Sequence, residues 1–167
     1  MQKIIVACVS VSLLVGCSQK SALADLADGN CTGAVADLVD KHISGQIDAL
    51  ADKDWELAHS FASENFQANV SVDDFILIIG TQYGMLIENK GYEFNECTVA
   101  DNTIKQEVSV LSGEQEFTLT YNLTVNESTL GVESAVVSEF VSQLNIWLVA
   151  AHNSPPALTQ DLETTTT

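Results

Sequence analysis

Residues able to do chemistry are few in this chain and widely spaced. His42, His59 and His152 stand far apart, and none of them supplies the two-ligand spacing of a metal site. Asp52-x-Asp54-x-Glu56 begins like a calcium loop, which places carboxylate oxygens at alternate positions. Leu57, however, stands where such a loop needs glycine, and Ser63 where it needs a bidentate glutamate. A capped, solvated helix junction fits these residues better. The sequence has no Gly-rich phosphate loop, no Gly-x-Ser-x-Gly, no Cys-x-x-Cys and no His-Glu-x-x-His, which removes the commonest nucleotide, hydrolase, redox and zinc signatures. Neither a cofactor nor a metal is expected.

Charge narrows the partners further. Six lysines, no arginine and 23 acids give a formal charge of -17, and such a polyanion has no footprint for nucleic acid or an anionic membrane surface. With 46% apolar residues in 167, the chain is sized for one globular domain with a packed core.

The first 16 residues carry an address. A basic start at Lys3 precedes an apolar run over residues 4–15, broken only by Ser10 and Ser12, and the run is too short to span a bilayer, which takes about 20 residues. Leu14-Val15-Gly16-Cys17 then resembles the bacterial lipobox, in which the peptide is cut ahead of a cysteine that has received a diacylglycerol. The resemblance implies a signal peptide at 1–16, lipid on Cys17 and, with Ser18 rather than Asp following, an outer membrane lipoprotein whose domain faces the periplasm. Cleavage there removes one lysine and no acid, leaving 151 residues at -18. Cys8 goes with the leader and Cys17 with the lipid. Two thiols, Cys31 and Cys97, remain in an oxidising compartment, which favours one disulfide; two separate buried thiols are the alternative.

The elements that must position any site follow from periodicity. Residues 17–30 are small and polar and read as a tether from lipid to domain; Pro155-Pro156 and the closing threonines make 154–167 a disordered tail. Between them, residues 31–153 form the folded domain. Val35, Leu38, Val39, Ile43, Ile47 and Leu50 recur at helical steps over residues 32–51. Asp54 caps a short second helix with Trp55, Ala58, Phe61 and Ala62 inward, and Ser71 caps a third carrying Phe75, Ile76 and Ile79, which Gly84 ends. After Gly91 the period drops to two: a strand over 92–99, another through Ile104 to Val110, a turn at Ser112-Gly113-Glu114, and a third through Phe117 to Val125. Residues 136–141 and 146–151 are apolar on both parities, as in strands covered on both sides. Helices first and a meander after give an α+β fold, N-terminal helices packed on a curved antiparallel sheet.

Gln46-Ile47-Asp48-Ala49-Leu50-Ala51-Asp52-Lys53-Asp54-Trp55-Glu56-Leu57-Ala58-His59-Ser60-Phe61-Ala62 resembles the opening of the nuclear transport factor 2-like, or cystatin-like, cone fold, and Ile146-Trp147-Leu148-Val149 resembles its closing strand. The resemblance covers residues 31–152 and is closest to bacterial domains of that superfamily with no assigned function. It implies a pocket between sheet and helices, with Tyr83, Tyr92, Tyr121 and Trp147 as pocket residues. Some members, such as ketosteroid isomerases, enolise a substrate there with a carboxylate base and a tyrosine donor. Here almost every acid falls on a polar face or a turn, Glu96 and Glu139 being the strand acids whose facing is open, so no catalytic residue is assigned. The expectation is a noncatalytic binding or scaffold domain, held on the membrane by lipid and serving an envelope protein or a small apolar ligand. A small-molecule carrier, or an isomerase-like enzyme using the pocket, is the alternative.

Overall fold

The computed structural model describes residues 22–126 and 128–142. The leader, Cys17, the strand expected at 146–151 with Trp147, and the tail at 154–167 lie outside the described residues. Packing begins ahead of Cys31. A 3-10 turn, Ala22–Asp25, buries Leu23 in the core, and a two-residue strand β1, Gly29–Asn30, pairs antiparallel with the next strand, so part of the stretch expected as tether belongs to the fold.

Helix α1, Gly33–Ala51, starts where the Thr32 hydroxyl accepts from the Val35 amide, and its apolar stripe buries Val35, Val39, Ile43, Ile47 and Leu50. Leu38, at the edge of that stripe, is exposed. Helix α2, Trp55–Ser60, is capped by Asp54, whose carboxylate accepts from the Leu57 amide at 3.2 Å. The residue that suggested a calcium loop thus satisfies a helix end. Helix α4, Val72–Gln82, is capped by Ser71, as its spacing with Asp74 predicts.

Two short helices escape the periodicity. Helix α3, Glu64–Asn69, is a six-residue element capped by Ser63, and α5, Gly84–Ile87, begins at the glycine expected to end the preceding helix. One turn of helix holds too few residues to show a 3.6 period.

The sheet is a five-stranded antiparallel meander in the order β1 to β5, with β2 Asn89–Ala100, β3 Thr103–Ser112, β4 Gln115–Asn126 and β5 Thr129–Ser142. Its inner face presents Ile104, Gln106, Val108 and Val110 from β3 opposite Leu123, Tyr121, Leu119 and Phe117 from β4. All but Phe117 are buried to about 1% exposure or less, and α1 packs against β2 and β5 on this side. Each fully buried aliphatic contributes roughly 1.5–3 kcal/mol relative to exposure. Extra residues in β2 between Phe94 and Cys97, and in β5 at Glu133 and Ser138, break the register as bulges, which bend strands and increase twist. Cys31 and Cys97 are joined in a disulfide, Cα–Cα 5.4 Å, that ties the entry of α1 to β2.

β5 departs from expectation. It runs unbroken from Thr129 rather than beginning at Val136, and Val136 and Val137 are 54% and 38% exposed, so these described residues are not covered on both sides. Val136 pairs with Thr120 on the face away from the helices, whereas on the inner side the Ala135 carbonyl accepts from the Tyr83 hydroxyl.

Candidate functional site

Between the helices and the inner face of the sheet lies an apolar cleft of about 140 Å³. α1 contributes Leu50 and Gln46, α4 contributes Phe75 and Ile79, α3 contributes Phe66, and the floor is Tyr121 with Val132 and Ala135. Phe66 and Phe75 meet edge to face with centroids 6.2 Å apart, and His59 stands 5.4 Å from Phe75. That aromatic group stiffens the helical wall. His59 is held in turn by its Nε2, 2.8 Å from the Val70 carbonyl. Since a carbonyl only accepts, Nε2 carries the proton.

The spacing of helices and sheet is set by a contact near the start of β5. The Ser63 amide donates to the Val132 carbonyl at 2.8 Å and the Val132 amide to Phe61 at 2.9 Å, a strand-like bridge between the α2–α3 connection and β5. Gly131 permits it: a Cβ there would lie 2.5 Å from the Ser63 Cα. Glu133, at one bulge, then accepts from the Ser63 hydroxyl and, at 2.8 Å, from the Asn65 amide.

Polar groups on the cleft wall are almost all engaged. Gln46, buried on α1, donates from Nε2 to the Ala58 carbonyl at 3.2 Å; Tyr83 donates to Ala135 at 2.5 Å; Ser134 accepts from Asn122 at 3.0 Å; Glu133 has the partners just named. Tyr121 differs. It is fully buried, and its hydroxyl has no hydrogen-bond partner among the described residues. Burial, reinforced by the nearby hydroxyls of Tyr83 and Tyr92, pushes its phenol far above the ordinary tyrosine range, so it stays a neutral donor at every working pH.

Of the residues expected to line a pocket, Tyr83 and Tyr121 line this cleft. Tyr92 does not: its ring packs 5.7 Å from Phe94, its hydroxyl donates to Asp48 at 2.9 Å, and it borders a separate depression of about 320 Å³ with Glu93 and Glu116. Trp147 lies outside the described residues, as does the side chain of Glu139, while Glu96 is exposed. Sequence reasoning missed Gln46, Phe66, Leu86 and the Ser63–Glu133 contact. Gln46 could have been found, since it sits three residues after Ile43 on the buried stripe of α1. Glu133, the acid on this wall, accepts from the Ser63 hydroxyl on one oxygen and from Asn65 on the other, which fixes the orientation of its carboxylate. The arrangement is suited to holding apolar matter.

No curated protein matches the chain. A domain of unknown function (DUF4864) matches residues 34–139, which span every helix from α1 onward, the cleft and most of the sheet, and the chain belongs to that family.

Proposed function

We propose that this protein is a noncatalytic carrier of a small apolar ligand, anchored on the outer membrane of a bacterial envelope through lipid on Cys17, with a cone-shaped nuclear transport factor 2-like domain facing the periplasm. The observation that carries the reading is the cleft. At about 140 Å³ with walls of Leu50, Phe66, Phe75 and Ile79, it is a partly open apolar cleft with room for a small ring, since an apolar cavity of about 150 Å³ takes up benzene. The lipobox supports the anchor, because a lipid at the N-terminus holds a strongly acidic domain near a membrane that its surface would avoid.

Two measurements test this. Titrating methylcyclohexane into the chain from Ser18 onward should give saturable binding that perturbs Phe66 and Phe75; no binding at the probe's solubility limit refutes the carrier. Fatty-acid labelling in a bacterial host should be lost in Cys17→Ser, and labelling that survives refutes the anchor.

A further inference from the structure

β5 is the last strand of the meander, and its outer backbone edge is used along only part of its length among the described residues. On that edge Val132 makes both of its backbone bonds to Phe61 and Ser63, and the Ala135 carbonyl accepts from Tyr83. Val137, two residues further on, directs its amide and carbonyl the same way, and neither has a partner among the described residues. The side chains agree: Val136 and Val137, one on each face of the sheet, are both exposed. An unpaired apolar edge is a template for another strand.

We propose that the occupant of this edge is the chain's own residues 146–151, folded back antiparallel on β5 as a sixth strand. The end of β5 sets the geometry. Ser142 closes the strand, residues 143–145 make a loop of ordinary hairpin length, and Ile146 then stands opposite Ser142. Allowing for the extra residue at Ser138, Ala150 falls opposite Val137 and Ala151 opposite Val136. The apolar run thus stops one position short of Ala135, whose carbonyl Tyr83 already holds, and Pro155 and Pro156, which cannot donate to a ladder, follow soon after. Charge selects this occupant over a second copy. Residues 31–153 hold 19 acids against four lysines, so two copies meeting edge to edge repel each other, whereas residues 140–160 contain no acid and no lysine. The short connection also holds the segment beside the edge at an effective concentration on the order of millimolar. Pairing there removes the template and steadies the strand whose Val132 and Ala135 line the cleft.

The test uses the chain from Ser18 onward, whose two native cysteines are bridged to each other. Thiols introduced together as Val137→Cys and Ala150→Cys lie opposite each other in the proposed register. Those of Val137→Cys with Ile146→Cys lie four strand steps apart, about 13 Å, beyond the reach of about 7 Å between the Cα atoms of a disulfide. The first pair should oxidise within one molecule at least tenfold faster than the second. Hydrogen exchange on the unsubstituted chain gives a readout that needs no new thiol: the Val137 amide should exchange at least a hundredfold more slowly than in a free peptide, equally at low and high protein concentration. Equal oxidation of the two pairs overturns the register and with it the strand. Crosslinks between molecules, or protection that rises with concentration, give the edge to a second copy and overturn the proposal. A Val137 amide that exchanges at the free-peptide rate overturns pairing of any kind.

Discussion

Replacing both Cys31 and Cys97 with serine should cost the fold about 4 kcal/mol. The bridge closes a loop with a sequence separation of 66, and the chain-entropy relation gives roughly 15 cal/mol/K for a loop of that size, or about 4 kcal/mol at 25 °C. The folded state loses little by comparison. α1 remains packed through Val39, Ile43 and Ile47, all fully buried, and the Cys31 amide keeps its 3.0 Å bond to the Cys97 carbonyl. Urea denaturation measures the effect: with a slope near 2 kcal/mol/M the midpoint should fall by roughly 2 M, a large part of an ordinary domain's stability. Native-state hydrogen exchange then separates two origins of the loss. If the crosslink acts on the unfolded chain, protection falls by the same amount at the slowest amides of α1 and β4. If it only staples a fraying edge, the loss is confined to Gly29 and Asn30, whose two-residue pairing with β2 is the weakest in the sheet. A fall of less than about 1 kcal/mol, or one confined to β1, would refute the loop-entropy reasoning.

Other substitutions test the rest of the framework. Gly131→Ala should cost about 1–3 kcal/mol, because its Cβ would meet backbone atoms of Ser63 at 2.5 and 3.0 Å. Gly80→Ala, mid-helix with open space around it, should instead gain about 0.5–1 kcal/mol; urea titrations giving the two the same sign would contradict the contact. Asp40 has a buried oxygen without a partner among the described residues, and burial, then Asp37 one turn earlier, hold its carboxyl above the usual range. A folded pKa raised above the unfolded one means that ionisation opposes folding, a penalty fully present above the folded pKa and gone below the unfolded value near 3.8. Asp40→Asn should therefore stabilise by roughly 0.5 kcal/mol at pH 7 and by nothing at pH 3; a thermal-melt difference that is flat across that interval rules the explanation out.

Elements with a repeating pattern were legible in the sequence. α1 shows five turns of stripe, and β3 and β4 alternate without interruption from Ile104 to Val110 and from Phe117 to Val125, so both their existence and the inward-facing sets follow from side-chain period alone. The antiparallel order follows from consecutive strands joined by turns, whereas pairing of Cys31 with Cys97 is one of two readings open in the sequence, separate thiols being the other, and the 5.4 Å Cα–Cα approach decides for the disulfide. What periodicity cannot carry is a helix of one turn, a strand bent by bulges, or the exposure of an edge. α3, α5 and the exposed Val136 fall in those classes. Val136 reads as buried because its neighbours are apolar, yet it pairs with Thr120 on the sheet face away from the helices, where nothing among the described residues covers it.

The cleft belongs to that second kind of information. Its walls come from four helices and two strands, and its width is fixed where they are held apart: at one end by the close approach of Gly131 to Ser63 and the Glu133 bulge bonded to Ser63 and Asn65, and at the other by the Tyr83 hydroxyl on Ala135. None of these contacts spans fewer than 50 residues, so none leaves a local signature in sequence. The residues involved, a glycine, a serine, an asparagine and a glutamate, are ordinary loop and edge residues when read one at a time. Their joint effect is to prop Phe75 and Ile79 above Tyr121 in place of letting them close onto it, and so to keep open an apolar space that dispersion forces would otherwise fill.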